Sequence, residues 1–203
     1  MKTSFAGCVL LTLTSFSPGI SAAEPAAITV YVNVELADAS LLPFPAESMA
    51  SRMFAKAGVR IQWRRDRPKR TESHALVVDI TSATPAAFHP GALAYAYAYE
   101  GVHIRILWDR VKNVSANRGL LPKLLAHVMV HEITHVLQRT NRHSETGVMK
   151  AHWTDDDLLR MSLKPLPFES ADIQLIHTGL AARSGAFQSA RAEPPVAAQR
   201  AGR

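Results

Sequence analysis

At 203 residues, with 47% hydrophobic and 20% charged composition, the chain is long enough for one well-filled core and too short for two comfortable domains. A formal net charge of +6 raises nucleic acid and anionic surfaces as partners, but the charge is local: Arg64, Arg65, Arg67, Lys69 and Arg70 follow one strand end, and Arg183, Arg191, Arg200 and Arg203 decorate the tail. A loop-borne basic cluster without interleaved aromatics reads as a solvated turn, so no nucleic-acid partner is expected.

Residues 1 to 23 have the form of a signal peptide: Lys2, an apolar stretch around Cys8 to Phe16, Pro18 and Gly19 as breakers, then small residues up to Ala23. The apolar stretch is too short for a permanent span, so a secreted or periplasmic protein without a stable membrane anchor is expected. Cys8 is the single cysteine, which leaves the mature chain without disulfide or thiol. The strand Ile28 to Val34 follows so soon that no room remains for an inhibitory pro-domain. Next come a helix over Glu47 to Ala57, with Met49, Met53 and Phe54 turned inward and Gly58 as its stop, and a strand over Val59 to Trp63. Further strands are expected at Ala75 to Ile80, Ala92 to Tyr99 and Val102 to Trp108. In the last, Val102, Ile104 and Ile106 alternate with other residues. Tyr95, Tyr97 and Tyr99 mark one face of their strand.

Leu120 to Arg139 reads as a helix: Leu121, Leu125, Val128, Met129, Val136 and Leu137 recur at helical spacing, and Pro122 suits a first turn. A short helix follows over Thr154 to Ser162, with Thr154 as N-cap and Asp155, Asp156 and Asp157 complementing the dipole. Another spans Phe168 to Ala182, with Ile173, Leu175, Ile176 and Leu180 on its apolar face. The expected organisation is a leader over 1–23, one domain over 24–182 and a flexible tail over 183–203.

The long helix carries His131-Glu132-Ile133-Thr134-His135. Residues four apart share a helix face, so His131 and His135 can direct two imidazoles at one ion. Glu132 is near enough to that face to reach a water without being a ligand. This is the HExxH arrangement of zinc peptidases. Other assignments compete: a His127, His131, His135 ladder, whose steps drift around the helix; a carboxylate ligand among Asp155, Asp156 and Asp157; or core histidines satisfied by backbone carbonyls.

Read onward, HEITHVLQRTNRHSETGVMKAHW resembles the metzincin clan, in which a third histidine follows the helix and a Met-containing turn lies beneath the metal. The segment NRHSETGVM is similar to one found in a group of secreted bacterial metzincin-like proteins. The resemblance implies His143 as the third ligand of one catalytic Zn2+, Met149 in the Met turn, and Glu132 as general base. Gln138 and Asn141 stand where metzincins usually have the glycine and the third ligand, and Asn141 is expected to take the left-handed turn. Lys150, Ala151, His152 and Trp153 follow where many metzincins place a tyrosine. The implied fold is α+β, a twisted mixed β-sheet over the HExxH helix with a small helical C-terminal part. The implied activity is that of a zinc metallopeptidase on a peptide or protein substrate bound along an edge strand between Gly91 and Trp108. A zinc-binding protein of the same fold without turnover is the alternative.

Overall fold

The computed structural model describes residues 26–36, 43–68, 75–82, 91–96, 102–114 and 117–192, with side chains to 185. The expected leader, Lys69, Arg70, Tyr97, Tyr99 and the end of the tail lie outside the described residues. Strands β1 (Ala26–Glu35), β2 (Val59–Arg64), β3 (Leu76–Thr81), β4 (Ala94–Ala96) and β5 (His103–Leu107) form one sheet in the order β2-β1-β3-β5-β4. The first three pairings are parallel and β4 joins β5 antiparallel, so the sheet is mixed and mostly parallel.

A period of two sorts the strand residues into faces. Ile28, Val30 and Val32 of β1, Leu76, Val78 and Ile80 of β3, and Ile104 and Ile106 of β5 enter the main core, with register pairs such as Val32↔Val78 and Ile80↔Ile106. Tyr31 and Val77, paired in register, form a small second cluster on the opposite face. There Asn33 Nδ2 donates to Asp79 Oδ1 at 2.8 Å. The main core is closed by α1 (Pro43–Lys56), through Ala46, Ala50, Met53 and Phe54, and by α3 (Leu121–Gln138). Burial of that apolar surface is the main term that holds helix to sheet, at about 1.5–3 kcal/mol for each large side chain.

Two helices depart most from the sequence expectation. A seven-residue helix α2 (Trp108–Val114) starts directly from β5, where a strand residue had been expected at Trp108. Its buried Trp108 and Val111 continue the core without any intervening turn residue to announce it. Helix α5 (Ser170–Ala192) runs on past Ala182, where alanines and arginines favour helix. α4 (Asp155–Leu163) begins as expected, with Thr154 and Asp157 forming a capping box. The basic cluster is partly neutralised within the chain: Arg64 pairs with Asp66 at 2.7 Å, and Arg65 with the buried Glu47 at 2.6 Å. No described helix is long and apolar enough to cross a membrane.

Candidate metal centre

From Leu124 to Gln138 every residue of α3 except Glu132 is buried. A helix enclosed on all sides can hold imidazoles only where their N–H groups find acceptors. His131 Nδ1 donates to the Val148 carbonyl and His135 Nδ1 to the Thr140 carbonyl, each at 2.9 Å. Carbonyls only accept, so both Nδ1 atoms carry hydrogen and both Nε2 atoms keep a free lone pair. Those two Nε2 atoms face each other at 3.0 Å.

The chain then returns past the site. Arg139 adopts a left-handed conformation at φ 55°, and its N–H bonds the His135 carbonyl. The left-handed turn expected at Asn141 is therefore taken two residues earlier, where it brings the Thr140 carbonyl under His135. Exposed His143 follows, its ring centroid 5.3 Å from that of His131 and 4.9 Å from that of His135. One ligand atom from each of the three histidines lies within 4.8 Å of the other two. After His143 a turn closes with Ser144 N–H donating to the Met149 carbonyl at 2.9 Å. Gly147, at φ 74°, lets this turn lie on the backbone of Pro167, since a Cβ there would stand 2.3 Å from the Pro167 oxygen.

Two lone pairs at 3.0 Å repel unless something positive lies between them. A shared proton is disfavoured: burial, followed by the neighbouring His135, lowers His131 to about 3, and burial also lowers His135 and His143. Three neutral nitrogen donors instead match a dication. Zinc ligands at about 2.0–2.1 Å in tetrahedral array stand about 3.4 Å apart, close to the observed pair. Glu132, half-buried in the wall of the same cavity, has no hydrogen-bond or ion-pair partner for its carboxylate among the described residues. Burial alone pushes its carboxyl up to about 8, which a cation nearby would reverse.

The cavity, of about 380 Å³, is lined by the three histidines and Glu132, by Leu93 and Ala94 where β4 begins, and by Trp153 and Leu158. It adjoins the edge strand expected to bind substrate, whose described part begins at Ala94, two residues after the expected start, while residues 97–99 lie outside the described residues.

The competing assignments fare differently. His127 has both nitrogens engaged, Nδ1 donating to the Lys123 carbonyl at 2.7 Å and Nε2 accepting from Leu166 N–H at 3.0 Å, so it has no lone pair to offer. Asp157 accepts from Thr154 and from Lys150 Nζ at 2.6 Å, and serves the start of α4. Met149 is fully buried in the main core, and it is the carbonyl of its neighbour Val148 that touches His131. Glu145 is exposed, and backbone carbonyls orient the two helix-borne imidazoles. Not anticipated at all were Asp172, Ser144 and Arg142, which hydrogen-bond one another beside His143. Arg142 and Ser144 flank a candidate ligand and could have drawn notice; the distant Asp172 carries no local signal.

No family model and no curated protein sequence matches the chain. Among solved structures it is similar to archaemetzincin from Methanopyrus kandleri, at 15% identity over 80% of this chain and 99% of that one, with a TM-score of 0.49.

Proposed function

We propose that the chain is a zinc-dependent metallopeptidase in which His131, His135 and His143 hold one Zn2+ and Glu132 is the general base. The carrying observation is the pair of imidazoles fixed through Nδ1 to carbonyls, with free Nε2 lone pairs 3.0 Å apart and an unpartnered carboxylate on the next residue. Zinc bound there supplies Lewis-acid polarisation of a carbonyl and lowers the pKa of water.

Glu132 takes the proton of the attacking water and passes it to the leaving amine. With no hydrogen-bond partner among the described residues, the carboxylate is available for both transfers. The Val148 and Thr140 carbonyls fix the tautomer of the two helix-borne histidines and raise their basicity. β4, paired only on its β5 side among the described residues, offers main-chain groups to an extended peptide next to the histidines. The leader-like residues 1–23 support action outside the cytoplasm.

Glu132→Gln tests the assignment. It is expected to keep stoichiometric zinc by elemental analysis while peptide hydrolysis falls about 10²–10⁴-fold, the range for loss of a general base. Retained hydrolysis in a zinc-loaded variant would remove Glu132 from the reaction. Hydrolysis absent from the zinc-loaded parent as well would favour a binding protein without turnover.

A further inference from the structure

The three candidate ligands are held by unequal means. His131 and His135 stand on a buried helix and each is pinned through Nδ1, whereas His143 is exposed and its ring has no hydrogen bond among the described residues. Its position is therefore set by the backbone on either side. Both neighbours converge on one atom: Ser144 Oγ donates to Asp172 Oδ1 at 2.7 Å, and Arg142 Nη1 donates to the same oxygen at 3.1 Å and to Ser144 Oγ at 3.2 Å.

Asp172 itself is held in place. It is fully buried, its Oδ2 accepts from Glu169 N–H at 3.2 Å, and its carbonyl accepts from Gln138 Nε2 at 3.1 Å. Gln138 closes the helix that carries the other two histidines. The α5 start is further locked to this region where Thr146 N–H and Oγ1 both donate to Glu169 Oε1, at 2.9 and 2.8 Å. Farther along α5, a Cβ on Gly179 would fall 1.7 Å from the Leu137 oxygen. One residue thus ties the end of α3, through its carbonyl, and the loop around His143, through its carboxylate, to the start of α5.

We infer that Asp172 is the positioning residue for His143: it places the loop-borne imidazole opposite the two helix-borne ones and so sets metal affinity. The inference rests on the metal reading above. A fully buried carboxylate that bonds both neighbours of a ligand is a stronger restraint than packing, because leaving that charge unpaired in the interior is costly. Asp172→Asn removes the charge, weakens the Arg142 contact and turns one acceptor into a donor facing Glu169 N–H.

The test is a chelator-competition titration of zinc on the full chain, with thermal unfolding of the metal-free protein and the visible spectrum of the Co2+-loaded protein. Asp172→Asn is expected to bind zinc about 10–100-fold more weakly, the usual cost of losing a group behind a ligand, and to lose intensity in the tetrahedral Co2+ bands. Adding His143→Ala to Asp172→Asn is expected to cost much less than His143→Ala costs in the parent, because both act through one ligand. Should Asp172→Asn not fold, the pair Arg142→Gln with Ser144→Ala makes the same comparison while keeping the carboxylate bonded to Glu169. Parent-like affinity and spectrum in a folded variant would overturn the inference alone. Absence of zinc binding by the parent would overturn the metal reading and this inference together.

Discussion

Helix α3 and the loop from Arg139 to Lys150 contribute to the same centre by opposite routes. The helix presents two histidines through its own period and buries nearly every residue around them. The loop presents one exposed histidine whose place depends on a left-handed arginine, a glycine at φ 74° and a carboxylate from another helix. The comparison teaches that a ligand on regular structure is specified locally, whereas a ligand on irregular structure must be specified by partners distant in sequence.

The sharpest way to break the contrast is Gly147→Ala, which places a Cβ 2.3 Å from the Pro167 oxygen at a backbone angle unfavourable to side chains. We expect about 3–4 kcal/mol lost in denaturant unfolding, with zinc affinity falling while helical circular dichroism persists. Loss of the helical signal in step with zinc would mean that helix and loop are one cooperative unit.

Acid acts on the helix side. Burial lowers His127 to about 4, whereas an unfolded chain protonates it from about 6.5 downward. The metal-free protein should therefore keep this contribution above pH 6.5, lose about 3 kcal/mol as pH falls from 6.5 to 4, and level off below, where the folded state also binds the proton. Urea titrations at pH 7 and pH 4 measure the slope. The stability difference between the two pH values should be about 3 kcal/mol smaller in His127→Gln than in the parent, and little changed in His143→Gln.

The smallest effect sharpens the comparison at the junction itself. Arg139→Gly relieves a left-handed residue at φ 55° and is expected to stabilise by about 0.5–1 kcal/mol, the relief being partly offset by the freer unfolded chain. A destabilisation would show that the arginine side chain contributes more than its backbone costs.

The same contrast explains what could be read from residues alone. The apolar period of α3, Pro122 near its start and the four-residue spacing of its histidines announce the helix, and the apolar runs of β1 and β3 announce buried strands. The capping box of α4 is equally local, with Thr154 and Asp157 three residues apart. By contrast α2 follows β5 with no Gly, Pro or polar break, and its seven residues are too few to show a period. In the loop, Asn141 looked suited to the turn that Arg139 makes, because the position is decided by where the Thr140 carbonyl must reach His135. Asp172 sits 28 residues from Ser144, and nothing in the intervening sequence signals that they meet.

X-ray absorption at the zinc edge of the metal-loaded protein tests the central claim most directly. The account predicts a four-coordinate ion with three imidazole nitrogens and one oxygen, all at about 2.0–2.2 Å, and loss of one imidazole shell in His143→Ala. A spectrum of four protein donors, or one unchanged by His143→Ala, would contradict it.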